Sequence, residues 1–239
     1  MSGSIANYRN MVEQPWGKMF YEQIFDQLSL PGDKRLKILD FGAGFCITSK
    51  HYAEHHDVTS IEPNEEMYGV RFEGGYTLIT KGIEYLSEIA DNTFDVVICH
   101  NVLEYVEDKD AILKELGRVL KSCGMLSIIK HNVYGRVLAT AVFSDDPKAS
   151  LDLFNGESED SMFGNRDVYP NEYLTGLFSD DMTLEEIYGI RAFFGLSKNN
   201  EIKYTDEWYN SMLELEKKAS RMEEYKKIAF FNHLIFKKK

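Results

Sequence analysis

Cysteine and positive charge are scarce in this chain, and long apolar runs are missing. Three cysteines, Cys46, Cys99 and Cys123, are spread over 239 residues, too few and too scattered for a disulfide framework or a zinc site. Buried, reduced thiols are the expectation for those near strand ends. His55 and His56 have no ligand partners at metal spacing, so no metal is expected. No apolar stretch approaches the length of a bilayer span, and the polar segment Met1–Gln14 lacks the apolar core of a secretory leader. A cytoplasmic location without membrane contact follows as an expectation. Basic residues number 27 against 39 acidic ones, for a formal net charge of −12. A broadly positive surface is thereby excluded, and with it nonspecific binding to nucleic acid or anionic membranes. A local basic patch, for example from Lys198, Lys203 and the Lys226-Lys227 pair, remains compatible with that balance.

Hydrophobic residues make up 44% and aromatics 13%, the composition of a packed globule rather than a disordered segment. The length suits a single domain, 1–239, large enough for a sheet covered by helices on both faces. Met19, Phe20, Ile24, Phe25 and Leu28 recur at helical spacing after Pro15 and predict an amphipathic helix. Strands are predicted at Lys37–Asp40, Val58–Glu62 and Tyr76–Thr80, with helices at about Cys46–Glu54 and Ala111–Leu120. Phe94–His100 is nearly all apolar, as a central parallel strand should be, and Met125–Lys130 is the next strand. Such alternation implies a doubly wound, mostly parallel α/β sheet. After His131 it stops. Residues 132–183 read as turn-rich, with Gly135, Pro147, Gly156, Gly164 and Pro170, and look like a substrate-lid insertion. A strand at Met182–Phe194, a helical stripe through Trp208, Met212, Leu215, Ala219 and Met222, and a final strand at Ile228–Phe236 complete the chain, with 197–224 as a second lid segment.

Lys37-Ile38-Leu39-Asp40-Phe41-Gly42-Ala43-Gly44 joins an apolar strand to an acidic residue and a Gly-x-Gly turn. Glycines let the backbone turn tightly and approach a ligand without a Cβ in the way. Glu62, 22 positions after Asp40, falls at the end of the next strand, where a carboxylate can accept hydrogen bonds from ribose hydroxyls. An adenosine-containing ligand is the inference. A dinucleotide site wants a third small residue so that the helix packs closely and aims its N-terminus at the pyrophosphate. Counted from Gly42, that position is the bulky Ile47. Asp40 also suits a cationic ligand better than a pyrophosphate.

Asp-x-Gly-x-Gly with Glu62 beyond it resembles motif I and the following acidic motif of the class I methyltransferases that depend on S-adenosylmethionine (SAM). The resemblance covers about residues 15–130. It implies a Rossmann-like, seven-stranded sheet with an antiparallel last strand and a helical or loop lid. It also implies SAM as the cofactor, held by Asp40, Gly42, Ala43, Gly44, Glu62, Pro63 and Asn64. Adenine contacts from Gly82, Ile83 and Glu84 are implied as well, with His100 beside the methionine part.

His100–Val106, Lys130–Gly135, Tyr188–Arg191 and Leu213–Glu216, with Arg221 and Tyr225, are further similar to the bacterial tRNA 5-carboxymethoxyuridine methyltransferases. Arg9-Asn10 matches an N-terminal pair of that subfamily. The chain departs from it at Phe20, where the subfamily carries an arginine for the SAM carboxylate, with Lys18 or Arg9 as substitutes. It departs again in the insertion: Arg136–Asp181 holds three basic and ten acidic residues, a net of −7, where tRNA contact calls for basic surface. Arg191 and Arg221 are the substrate-side candidates, because a guanidinium fork suits a carboxylate or phosphate, with Tyr134 and Tyr225 as walls. No catalytic residue is assigned, since a carboxylate acceptor is already ionised near neutral pH. The reading is methyl transfer from SAM to a small anionic molecule rather than tRNA. Its alternatives are carboxyl methylation of tRNA wobble carboxymethoxyuridine and a SAM-binding regulator without transfer activity. The oligomeric state is left open.

Overall fold

A computed structural model of the chain describes residues 5–157, 159–161 and 164–239. Residues 1–4, and positions 158, 162 and 163 of the expected insertion, lie outside the described residues. Helix α1 (Ile5–Met11) precedes α2 (Pro15–Gln27), whose proline sits in the first turn, where a missing N–H costs nothing. Its buried face includes Met19, Phe20, Gln23, Ile24 and Gln27, the spacing of one helical stripe. Strand β1 (Lys37–Phe41), α3 (Ile47–Tyr52), β2 (Asp57–Ile61), the short α4 (Glu65–Tyr68) and β3 (Thr77–Ile79) follow. Next come β4 (Phe94–His100), α5 (Lys109–Val119) and β5 (Leu120–His131). The chain continues through α6 (Val133–Val142), α7 (Pro147–Phe154), the antiparallel hairpin β6 (Glu159–Ser161) and β7 (Gly164–Arg166), and α8 (Asn171–Leu177). It ends with β8 (Met182–Ile190), α9 (Asp206–Ala219), α10 (Glu223–Lys226) and β9 (Phe231–Lys238).

The main sheet has seven strands in the order β3-β2-β1-β4-β5-β9-β8. Strands β1 to β5 pair in parallel, and the C-terminal strands are antiparallel, so the expected Rossmann-like architecture is the one found. Winding runs outward from β1 to β3 and then returns to β4 on the other side of β1. Ligands of such sheets bind at that reversal, beyond the carboxyl ends of the strands. Ile38, Leu39, Val97, Ile98, Leu126 and Ile128 are all fully buried, which explains why these strands read as continuous apolar runs.

Three expectations need correction. The segment 132–183 is built from α6, α7, a hairpin and α8 rather than from turns. Pro147 starts α7 instead of breaking the chain, and Asp146 caps it by accepting from the Ala149 amide at 2.9 Å, the arrangement that proline at a helix start favours. Strand β5 begins at Leu120 rather than Met125, because a register shift between Phe94 and Val96 lets it accommodate Cys123 at φ +61°. Strand β8 stops at Ile190, since Arg191 turns into the left-handed region at φ +59°.

Two compact units are distinguishable: Met1–Ser29, Lys130–Asn171 and Ile187–His233 form the first, and Leu30–Ile129, Glu172–Glu186 and Leu234–Lys239 the second. In the first unit the two buried glutamines of α2 hold the end of β8. Gln27 donates to the Gly189 carbonyl at 3.1 Å, and Gln23 accepts from the Arg191 amide at 3.2 Å. The start of α6 is fastened to the segment before β9, with the Asn132 side chain donating to the carbonyls of Lys227 and Ala229 at 2.9 and 2.8 Å. Gly135 allows that approach: a Cβ there would sit 2.0 Å from the Ala229 carbonyl oxygen. Gly135→Ala should therefore cost about 1–3 kcal/mol or more, because backbone cannot yield as a side chain does. Gly176→Ala, where a Cβ meets nothing within 4 Å, should gain about 0.5–1 kcal/mol from helix propensity. Urea unfolding of both variants checks the contrast.

Candidate functional site

In the second unit, the Gly-x-Gly turn lies at the carboxyl end of β1. Gly42 has φ +72° and Gly44 φ +54°, conformations that favour glycine. Gly42 is also constrained by space, since a Cβ would lie 2.3 Å from a methyl of Val102. The amides of Gly42 and Ala43 both donate to the Ile61 carbonyl, at 2.9 and 3.0 Å. Glu62 completes the attachment: one carboxylate oxygen accepts from the Gly44 amide at 2.7 Å and the other from the Asn64 amide at 2.8 Å. Burial raises the Glu62 pKa, and these two amides oppose that rise. Each carboxylate oxygen keeps a second lone pair for another donor.

Asp40 is placed differently from the expectation of a charge beside the ligand. It is buried, and its carboxylate accepts from Ser49 on α3 at 2.5 Å, while Ser60 donates to Ser49 at 2.7 Å. Asn64 is spent on capping α4, accepting from the Glu66 amide at 2.9 Å, and Pro63 before it is exposed. Glu84 turns back on its own loop and accepts from the Gly82 amide at 2.9 Å. The intervening Ile83 is 40% exposed, an apolar surface of the kind an adenine ring covers. His100 shares a hydrogen bond of 2.8 Å with Ser127. Gly42, Ala43, Gly44, Glu62 and Asn64 are thus brought together by direct bonds, and Ser49, which the sequence reading missed, holds Asp40. Its signal was its place on the inner face of the predicted helix.

The first unit holds a cavity of about 640 Å³ whose lining includes Trp16, Arg136, Phe143, Arg191, Lys203 and Phe230. Arg191, expected from sequence, is one of them, and Arg136 and Lys203 were not expected there. The signal for Arg136 was helical spacing, since Ala139 and Thr140 share its face of α6 and also line the cavity. Arg221, Tyr134 and Tyr225 are not among the lining residues. Arg221 lies over the Tyr188 ring at 4.7 Å and donates to its hydroxyl at 3.1 Å. Tyr134 is 64% exposed, and Tyr225 packs on Phe193 with ring centroids 5.0 Å apart. Phe20 is buried against Phe231, Arg9 pairs with Glu13, and Lys18 is exposed. Among the described residues no group of His, Cys, Asp and Glu is arranged to hold a metal ion, and no helix is long and apolar enough to cross a membrane.

The methyltransferase-domain family model matches residues 39–128, which span the Gly-x-Gly turn, Glu62 and His100. That stretch of the chain is therefore similar to a methyltransferase domain. The ubiquinone biosynthesis O-methyltransferase of Xanthomonas oryzae pv. oryzae is 28% identical over 180 residues, covering 70% of this chain and 73% of that protein. The thiol S-methyltransferase TMT1A of Homo sapiens is 30% identical over 108 residues, which is 41% of this chain and 43% of that protein, so less than half of either is compared. Among solved structures, a SAM-dependent methyltransferase from Archaeoglobus fulgidus has the same fold with a TM-score of 0.59, at 17% identity and covering 92% and 94% of the two chains. The plantazolicin methyltransferase BpumL, solved in complex with SAH, has the same fold with a TM-score of 0.59, at 17% identity and covering 98% of this chain and 88% of that one.

Asp40 gives the ligand-free site a pH signature. Burial raises its pKa from 3.8 to about 6, with the Ser49 hydrogen bond opposing. The charged form is therefore the disfavoured one in the fold. Its contribution to stability is full below the ordinary carboxylate value and is lost as pH rises through the folded value. By itself Asp40 lowers stability between pH 4 and pH 6, against the buried His233, whose pKa is lowered to about 3 and whose contribution rises with pH over the same range. Asp40→Asn, which keeps an acceptor for Ser49, should remove much of that slope and be more stable than the parent at pH 7. Glu62 and Glu216 are raised in the same direction and His233 opposes all three, so the readout is the difference between variant and parent. Denaturant midpoints across this range provide the measurement.

Proposed function

We propose that this enzyme transfers the SAM methyl group to a small anionic acceptor. The observation that carries the reading is the cavity of the first unit, with Arg136, Arg191 and Lys203 in its wall and no carboxylate among its described lining residues. The named relatives act on an oxygen and a sulfur of their substrates, which supports a small-molecule acceptor. The basic patch that RNA would need is otherwise engaged: Lys198 pairs with Asp145, Lys226 with Glu223 at 2.6 Å, and Lys203 belongs to the cavity. Together with the acidic insertion, this disfavours the tRNA reading.

The residues of the second unit fit the cofactor. Glycines at positive φ keep side chains off the turn, Glu62 retains acceptor capacity for ribose hydroxyls, and Ile83 offers an apolar face to the adenine. When bound, SAM supplies an electrophilic methyl on a sulfonium, which an acceptor lone pair attacks in line as the C–S bond breaks and its electrons pass to sulfur. Holding the two partners in that line is the protein's main contribution, worth about 7–11 kcal/mol in well-oriented systems. A carboxylate acceptor yields a methyl ester and releases no proton, so the chain needs no general base for it.

Calorimetry with SAM on the folded protein tests the cofactor site. Glu62→Ala should weaken binding at least about tenfold, since hydrogen bonds to a charged group are worth about 1.5–3 kcal/mol each and the anchors of Gly44 and Asn64 are lost with them. Unchanged affinity in that variant would remove Glu62 from the site. For the acceptor, labelled SAM is incubated with a panel of small carboxylic acids and, separately, with undermodified bacterial tRNA. Transfer to the carboxylates is expected. Efficient labelling of wobble carboxymethoxyuridine with none of the small acids would replace the proposal by the tRNA reading.

A further inference from the structure

Arg191 is held in an unusual way. Its guanidinium lies over the rings of Trp16 at 5.6 Å, Phe194 at 5.5 Å and Phe230 at 5.3 Å. Its Nε is sealed from solvent and has no hydrogen-bond partner in the protein. A buried N–H without an acceptor is costly, and the rings, which cover the flat faces of the group, do not supply one. Glu216 offers charge but not a bond: its two oxygens accept the amides of Ala192, Phe193 and Phe194 at 2.8, 2.9 and 2.7 Å.

The other two cations share the same rings. Lys203 lies 4.9 Å from the Phe194 ring and Arg136 lies 5.2 Å from the Phe230 ring, so Arg191 is flanked by positive charge through both aromatic neighbours. Lys203 already donates to the Ser197 carbonyl at 2.7 Å and the Asn200 side chain at 3.0 Å, which leaves it one of its three donors. Burial and the neighbouring Arg191 both push the Lys203 pKa down. Three positive groups in a partly apolar cavity repel one another, and an anion removes that repulsion.

The cavity volume of about 640 Å³ lies within the range of small-molecule sites. Its walls combine ring faces (Trp16, Phe143, Phe230) with cationic ends, and that pairing defines a ligand of two parts. We infer that the cavity binds a planar aromatic carboxylate, its ring packed among the aromatic side chains and its carboxylate accepting from Arg191 with Lys203 beside it. A carboxylate fits better than a phosphate because the free donors are few and a guanidinium edge pairs two N–H groups with two coplanar oxygens. The inference rests on the proposed methyl transfer for the use made of this ligand, and not for its binding.

Calorimetry without SAM tests it, using 2-naphthoate as the probe beside 2-naphthamide, 2-naphthyl phosphate and the saturated decahydro-2-naphthoate. The acid should bind at least tenfold more tightly than each of the other three, and Arg191→Met and Lys203→Met should each weaken it at least tenfold. If Arg191→Met does not fold by circular dichroism, Lys203→Met carries the test. Equal binding of acid and amide, or undiminished binding in Lys203→Met, overturns the inference. Tighter binding of the phosphate overturns the carboxylate class, and equal binding of the saturated acid overturns the aromatic part. SAM titrations on the same samples separate the two proposals. A protein that binds SAM and no naphthoate loses this inference alone, and one that binds naphthoate and no SAM loses the methyltransferase proposal alone.

Discussion

The cofactor half of the structure depends on one carboxylate. Glu62 and the carbonyl of Ile61 before it accept four backbone amides, from Gly42, Ala43, Gly44 and Asn64. A glycine-rich turn with two residues at positive φ has high conformational entropy when free, and it can present a fixed surface only if something outside it fixes it. Bonds to an ionised acceptor are the stronger kind, and Glu62 makes two of them in a buried setting where each is electrostatically reinforced. Its burial opposes ionisation, so the amides are what keep the charge. On the proposed reading, ribose hydroxyls at the remaining lone pairs would act in the same direction as the amides, and cofactor binding and loop order would reinforce each other through this side chain.

The first unit solves a different problem, that of holding positive charge in an apolar surrounding. Arg191 leaves the regular strand at a left-handed residue, where Gln23 takes its amide and Glu216 takes the three amides that follow. The four amides at this turn are consequently bonded while the guanidinium is left to aromatic faces. Cation–π contacts with several rings are worth about 0.5–2 kcal/mol each, less than the cost of taking such a charge out of water. An anion at the proposed site would offset that deficit.

Much of this was legible in the sequence where a residue pattern has a single physical meaning. Apolar runs gave the parallel strands because strands covered on both faces must be apolar throughout, and Gly42, Gly44 and Glu62 stood out because few residue types satisfy a tight turn and a ribose acceptor. The helices of the insertion are hidden by Pro147 and Gly135, residue types that more often mark breaks. Proline starts helices as readily as it ends them, and a glycine inside α6 is required by a close approach to residues 229–230 that no local pattern reveals. Asp40 stands out by its charge and its place before the Gly-x-Gly turn, and the Ser49 hydroxyl that donates to it is a tertiary contact. Arg136 and Lys203 joined Arg191 for the same reason: the cavity is assembled from segments far apart in sequence.

Net charge misled in one respect and informed in another. A total of −12 suggests an enzyme hostile to anions, yet three of its 27 basic groups converge on one cavity. Acidic groups dominate the sum because they are exposed and numerous, and their field is screened within about 8 Å at physiological ionic strength. A single carboxylate in the proposed cavity would face Arg191, Arg136 and Lys203, with no carboxylate among the described lining residues. A polyanion has no such escape, since its phosphates must lie along the outer surface where the acidic residues are. On the proposed reading, the contrast between the cationic cavity and the acidic remainder of the chain would favour a small acid over a nucleic acid, a device of selectivity in its own right.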